Sequence, residues 1–447
     1  MEKSKKMKYK LLLYLVLLTL SLIKTNFGQD TASFDMQEVS AFTTSIDATG
    51  QYAECNNTNP DKDVKRYPEF ESEKPLYGSV TFDSNYTIPD SGTKFYFAID
   101  ESKGTNKGYD TFYFDSNHNL DLTDDKPLNP IEKLPKGLLQ SSGNEKIIYF
   151  DYLTINFDYG PEIGIQPFKI IPCLTFHSSG YVYLNFIPTV ARKGNICIGN
   201  YKYEAILIHD YKISGRFDRP DIKISLTPRE GAPPLGRWQG ADMMRGIHSI
   251  DGKLYSFSTT PKGDKLFVNT YKGDLGIFTI GSGKRKIKDM SVMGCLMSEN
   301  TAVAVGKENP GEWPSHTTQC EIPVGEYFPN TIYIGYGDFS MKIEHNEHSD
   351  GRPYDRQCRP MVYFIKIAKD KPFVFDFPNQ PEILFTSPKK DAKFKSGDSI
   401  RIETYLIDQK LDFAILRLEK NSRKLPPLVE IFNSSGKRIV TGAMEYG

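Results

Sequence analysis

The sequence predicts an all-β protein of several antiparallel sheets and sandwiches, closing in a C-terminal immunoglobulin-like β-sandwich. Three observations carry that expectation. From Leu76 onward, short segments with period-two alternation or aromatic enrichment recur between clusters of Gly, Pro, Asn and Asp, the pattern of strands divided by turns. Hardly any segment sustains a helical period. The 447 residues exceed what one hydrophobic core organises, so several domains are expected.

Taken in order, Met1 to Lys10 carries five lysines, Leu11 to Ile23 is apolar, and Lys24 to Gln29 is polar and contains the small residue Gly28. That succession is a secretory signal peptide over residues 1–28. Its 13-residue apolar core falls short of the roughly 20 residues a spanning helix needs. No integral membrane segment is therefore expected after its removal, and the destination is secreted, periplasmic or cell-surface. The leader takes six Lys and one Glu with it, leaving 50 basic against 55 acidic residues and a formal charge of −5. Nucleic acid is thereby a poor partner.

All six cysteines, Cys55, Cys173, Cys197, Cys295, Cys320 and Cys358, follow the leader. An oxidising compartment would permit bridges, and the expected local pairs are Cys173 with Cys197 and Cys295 with Cys320. The absence of a CxxC argues against a thioredoxin-like site or a zinc ribbon.

Residues 29–67 are polar and poorly patterned, and Asn56 to Asp63 reads as a loop, so this stretch is expected to be a poorly ordered linker. A β-rich domain with Asp/Asn-rich loops follows over 68–235. Its expected strands are Leu76 to Phe82, Lys94 to Ile99, Thr111 to Phe114, Lys146 to Phe157, Tyr181 to Ile187 and Tyr201 to His209, with a turn at Ser178 to Gly180. Directly behind the third strand stands FYFDSNHNLDLTDDKP, Phe112 to Pro127.

In that segment Asp115, Asn117, Asn119 and Asp121 recur at every second residue, the first, third, fifth and seventh positions of an EF-hand-type calcium loop. A hard divalent cation wants about six to eight oxygens, and alternating oxygen-bearing residues can turn inward together. Thr123 takes the ninth position, and Asp125 is the late acid assigned to the set. The template is incomplete, because Leu120 replaces the sixth-position glycine and Lys126 the twelfth-position glutamate, while Asp124 and Asp125 come one or two places early. Calcium in a shortened, strand-flanked loop competes here with a plain polar connection closed by Asx-turns.

A second loop opens at Asp210 and places Asp210, Ser214, Gly215, Asp218 and Asp221 on template positions, but Lys212 occupies the third. A cation there is repelled, and a structural turn is expected. After the break at Gly231 to Gly236, the region 236–378 reads as a β-meander or sandwich. Lys253 to Ile280 supplies three short strands, and Thr331 to Ile343 a hairpin turning through Gly335 to Asp338. From 379 to 447 about six short strands with regular turns suggest the immunoglobulin-like sandwich, without the Cys and Trp landmarks of antibody domains.

The strand plus DSNHNLDLTDD, the GRFD turn, the meander KLYSFSTTPKGDKLFVNTYKGDLG and the closing GKRIVTGAMEYG together resemble a group of exported bacterial multidomain β-proteins of unassigned function. These proteins pair an EF-hand- or dockerin-like DxNxNxD loop with a C-terminal immunoglobulin-like domain. The resemblance touches about half of the mature chain and implies an architecture, with no catalytic residue to carry over.

Catalytic patterns are weak. Gly397 to Ser399 matches an esterase nucleophile triplet, but no histidine follows His348 and a turn is expected. His345 and His348 lie in a polar stretch without HExxH, and Gly281 to Lys284 lacks the P-loop spacing. Trp238, Trp313 and the 26 Tyr and 28 Phe could stack on sugars or simply fill β-cores. The expectation is an exported, non-catalytic, calcium-stabilised β-protein whose partner is a carbohydrate or a cell-envelope protein. The alternative is a secreted hydrolase acting on polysaccharide or peptide.

Overall fold

The computed structural model describes residues 31–46, 50–55, 59–82, 92–102, 108–138, 145–220, 222–232, 243–250, 253–281, 290–298, 300–306, 319–344, 365–376, 382–389, 391–395, 397–408 and 413–444. Residues 1–28, where the leader is expected, and Asp221, Trp238, Lys284, Trp313, His345, His348 and Cys358 lie outside them. The described chain is all-β and multidomain in layout, with six sheets, and its one helical turn is Ala41–Thr43. No helix among the described residues is long and apolar enough to cross a membrane.

The N-terminal half is built from three sheets. Leu76–Phe82, Thr93–Asp100 and Thr111–Phe114 form an antiparallel meander, held by register pairs such as Val80 with Phe95 and Phe97 with Phe114. Gln51–Glu54, Val182–Pro188, Ile165–His177 and Glu145–Tyr149 form a second sheet in that order, to which Leu153–Asp158 adds along Ile165–His177. Lys223–Arg229, Tyr201–Ile208, Val190–Ile198 and Gln37–Ser40 form a third.

The first two sheets share one aromatic core. Phe186 sits among Phe82, Phe97, Phe112 and Phe114 at centroid distances of 5.3, 6.0, 6.3 and 5.9 Å, with ring planes tilted edge to face. Such contacts contribute about 0.5–1.5 kcal/mol each beyond burial. Phe112 and Phe114 face this core, whereas Tyr113 between them turns to the opposite face, as strand alternation requires. There Val64, Tyr96, Ala98 and Leu122 form a second, outer cluster with Phe70 and Leu120 packed against it. The oxygen-rich loop is thus attached to a sheet covered on both faces.

The C-terminal half centres on a 13-stranded sheet running from Thr31–Asp35 to Glu382–Ser387. Leu275–Gly281 leaves the expected meander and pairs with Gln319–Pro323 and Phe373–Asp376 instead. Its pairing with Phe373–Asp376 is parallel, as is that of Gly246–Ile250 with Ala302–Gly306, two departures from an antiparallel plan. Phe339–Glu344 pairs with Phe413–Lys420, which carries Glu403–Asp408 and Glu382–Ser387 into the same sheet. Leu428–Phe432 and Arg438–Ala443 make a largely exposed hairpin.

Two expectations are corrected. Residues 29–67 are not a linker throughout, because Thr31–Asp35, Gln37–Ser40 and Gln51–Glu54 are strands. The first two are mostly exposed edge strands, so their order comes from backbone pairing with Lys265–Thr270 and Val190–Ile198, with little apolar patterning to announce it. The local disulfides are also not formed between the expected partners. Cys173 and Cys197 stand on different sheets, as do Cys295 and Cys320.

Candidate metal centre

The strand Thr111–Phe114 ends where apolar alternation stops, and Asp115 continues it with its amide donating to the Tyr96 carbonyl at 3.0 Å. The side chain of Asp115 is fully buried. Its carboxylate accepts the Asn119 amide at 3.0 Å and the Leu120 amide at 2.9 Å, which curls the chain around it. The next side chains repeat the device at a two-residue step. Asn117 Oδ1 accepts the Asn119 amide, Asn119 Oδ1 the Asp121 amide, and Asp121 Oδ1 the Thr123 amide, at 3.0, 2.8 and 3.0 Å. These are consecutive Asx-turns.

The curl demands two left-handed residues, His118 at φ 60° and Leu120 at φ 68°. The sixth template position therefore adopts the backbone for which glycine is usual, although a leucine occupies it. Left-handed backbone costs about 1–2 kcal/mol for an ordinary L-residue. Packing of the Leu120 side chain on the outer cluster, with Leu122 fully buried there, offsets this.

The loop is clamped at both ends. Lys65 and Leu122 amides donate to the Leu120 and Arg66 carbonyls at 2.8 and 3.0 Å, laying 65–66 alongside the loop. At its base Phe112 and Leu128 exchange two backbone hydrogen bonds, of 2.9 and 2.8 Å.

The late acids behave differently from one another. Asp124 accepts Asn117 Nδ2 at 3.3 Å and Asn119 Nδ2 at 2.7 Å, so it joins the alternating set although the template reading had not assigned it. Asp125 accepts the Ser116 hydroxyl through Oδ1, while its Oδ2 is buried with no hydrogen-bond partner. Burial first, and then the negative charges of Asp124 and Asp115, raise the Asp125 carboxyl above the ordinary carboxylate range. An anionic oxygen shut away among anions is the arrangement a cation relieves.

Asp121 and Thr123 lean elsewhere. Both the amide and, at 2.5 Å, the hydroxyl of Thr123 donate to Asp121 Oδ1, and Arg66 stands 3.6 Å from Oδ2. The Thr123 bonds first, and then Arg66 and Lys65, hold the Asp121 carboxyl below its ordinary value. Of the expected set, Asp115, Asn117 and Asn119 are hydrogen-bonded together with Asp124, Asp125 is tied to Ser116, and Asp121 and Thr123 form a flank joined to Asn119 and shared with Arg66.

The donor chemistry fits a hard cation. Every candidate atom is oxygen, and amide and carboxylate oxygens that accept one backbone N–H keep a further lone pair. No grouping of three or more His, Cys, Asp or Glu able to hold a metal is found among the described residues, so the amides of Asn117 and Asn119 are integral to any site here.

The second loop is occupied by its own cations. Asp210 pairs with Lys223 at 3.2 Å, and Asp218 holds Arg216 through two bonds of 2.9 and 2.6 Å. Gly215 is left-handed at φ 69°, and an added Cβ would lie 2.1 Å from the Phe157 ring. At the Gly397 to Ser399 triplet, Gly397 is left-handed, the Lys395 amide donates to the Asp398 carboxylate at 2.7 Å, and the Asp398 amide returns to the Lys395 carbonyl at 3.1 Å. Those bonds close a turn.

Comparison of the chain with family models, with curated proteins and with solved structures returns no match.

Proposed function

We propose that the protein is an exported β-scaffold stiffened by one calcium ion in the loop Asp115 to Asp125, and that it serves as a non-catalytic binding or envelope-associated module. The observation that carries the metal is the buried, unpartnered Asp125 Oδ2 placed among Asp115 and Asp124 in a loop whose side chains are already curled. Asp115, Asn117, Asn119 and Asp125 would hold the ion, with Asp124 orienting the two amides and Asp121 and Thr123 closing the flank. Bound calcium supplies charge neutralisation and nothing redox-active. The apolar leader supports export, and the terminal segment 379–447, whose strands Glu382–Ser387, Glu403–Asp408 and Phe413–Lys420 extend the large sheet, would act as an interaction surface.

The direct test is calorimetric titration of chelator-treated protein with calcium chloride, with magnesium chloride as the comparison. Saturable binding of one calcium per chain, abolished by Asp115→Ala, is expected. No heat and no saturation at millimolar calcium would remove the metal from the proposal.

A hydrolase is the second reading, and one observation favours it. A cavity of about 620 Å³ is lined by Glu101, Asp110 and Glu132 together with Tyr109 and Lys146. Turnover of a polysaccharide or peptide lost in Glu101→Gln would replace the module with an enzyme.

A further inference from the structure

The outer face of the sheet containing Gln51–Glu54 carries a second feature. Directly paired residues of an antiparallel sheet share a face. Tyr52 opposes Asn185, which opposes Cys173 and then Tyr149; Glu54 opposes Tyr183, which opposes Thr175 and then Ile147. One end of this face is covered, since Tyr149, Cys173 and Ile187 pack with Phe42, Ile131 and Leu138. The cover stops short of Tyr52, Tyr181 and Tyr183.

These three rings are neighbours. Tyr183 lies 5.6 Å from Tyr52 and 6.2 Å from Tyr181, and the hydroxyls of Tyr52 and Tyr181 share a hydrogen bond of 2.8 Å. Tyr52 is 43% and Tyr181 55% exposed, high values for rings held in place by one another. Tyr52 also lines a cavity of about 640 Å³ together with Glu54, Asn59, Asp61 and Lys212 and the apolar Ala53, Tyr77 and Val80. That is the composition of a small-ligand site, ring faces beside a few convergent polar groups.

We propose that Tyr52, Tyr181 and Tyr183, with the adjoining cavity, bind a neutral oligosaccharide. Flat aromatic faces match the C–H faces of pyranose rings, and a phenol can donate to and accept from sugar hydroxyls. Charge complementarity argues for a neutral occupant, because the cavity's carboxylates are balanced locally: Asp61 is paired with Lys94 at 3.3 Å, and Lys212 shares the cavity with Glu54. A peptide partner would call for a fully apolar anchor pocket, whereas Glu54, Asn59, Asp61 and Lys212 are interspersed among the apolar lining of this one. The inference rests on the binding-module part of the proposed function and is independent of calcium.

The test uses the full chain in calcium-containing buffer, titrated by calorimetry with cello-, manno-, xylo- and chitohexaose. At least one is expected to bind saturably. Tyr52→Ala and Tyr181→Ala should each weaken that binding roughly fivefold with an unchanged melting midpoint. Tyr181→Phe, which keeps the ring, should bind within about twofold of the parent protein if stacking dominates over the hydroxyl bond. Lack of binding to all four sugars, or binding insensitive to both alanine variants, overturns the site. Either result alongside an intact calcium-induced rise in melting midpoint removes the glycan alone.

Discussion

Asp125→Asn should move stability in opposite directions with and without calcium. In chelator the substitution removes a carboxylate whose Oδ2 has no partner and whose charge is opposed by Asp124 and Asp115. Two like charges a few ångströms apart repel by up to about 4 kcal/mol in a medium of intermediate dielectric. The loop is largely open to solvent, and screening brings the expected gain to on the order of 1 kcal/mol. With calcium the sign reverses. At a hundredfold excess over Kd, calcium stabilises the parent protein by about 2.7 kcal/mol. For a cooperative unit of 150–250 residues that raises the melting midpoint by roughly 5–11 °C. Loss of one ligand charge that weakens Kd by about 10- to 100-fold leaves only about 0.4–1.4 kcal/mol of that gain at the same calcium concentration. Calorimetric melts of both proteins in chelator and in calcium therefore should cross, the variant melting higher in chelator and lower in calcium. A parent midpoint indifferent to calcium, or a variant displaced equally in both buffers, would refute the assignment of Asp125 as a ligand.

The remaining predictions concern buried titratable groups. His209, fully buried against Phe168 and Phe217 at 4.9 and 5.0 Å, is pushed down to about 3 by desolvation, and His248, buried beside Phe257, to about 4. Both pKa values fall below the roughly 6.5 of an unfolded histidine, so the unfolded chain binds the extra protons and stability is lost as pH falls below that value. Urea melts between pH 6 and 5 should show a slope approaching about 1.4 kcal/mol per pH unit per histidine, and a flat profile would contradict it. Burial pushes the thiols of Cys55 and Cys173 up to about 12, whereas Cys197 is exposed. Iodoacetamide at pH 8 should label Cys197 in the native protein, the partly buried Cys55 more slowly, and Cys173 only on unfolding; mass spectrometry reads the difference, and comparable native labelling of Cys173 would show that its burial is wrong.

Where a segment's burial alternates, the strand is legible from the residues alone. Leu76–Phe82 and Thr111–Phe114 fall where alternating or aromatic-rich residues place them, because each has a face committed to the aromatic core, although Thr111–Phe114 is buried on nearly every residue. Ile165–His177 is not legible in the same way, since Pro167 and Pro172 look like breakers yet sit within a strand that other strands flank on both sides. Sheet membership is harder still. The alternation of Leu275–Gly281 says strand, but nothing local says that Phe278 will stack on Phe373 and leave the meander. At the loop, the spacing of Asp115, Asn117 and Asn119 is visible in the sequence, and so are the late acids Asp124 and Asp125, but counting template positions does not say that Asp124 is the one bonded to Asn117 and Asn119. Leu120 looked like a defect because side-chain identity conceals the backbone angle it takes up.

The consequence of that leucine reaches beyond the loop. Leu120 and Leu122 join the calcium candidate to the outer cluster of Val64, Tyr96 and Ala98, and the exchange between Phe112 and Leu128 joins it to the aromatic core through Phe112 itself. Ordering the loop therefore stabilises whatever unfolds with those two clusters. Part of the large sheet has a separate core, built on Phe278, Leu296, Tyr327, Ile332 and Phe375, whereas its Tyr255, Phe257, Leu266 and Val268 pack with Phe217 and with Tyr203 and Leu207 of the third sheet. Cooperative units follow such divisions of packing, so a ligand that stabilises one need not stabilise its neighbour. If the two halves melt as separate transitions, calcium should raise the one that carries the Phe112 and Phe186 core and leave the other in place. Equal movement of both would mean that calcium does not act through this loop alone, and movement of only the transition belonging to the large sheet would place the ion somewhere other than behind Phe114.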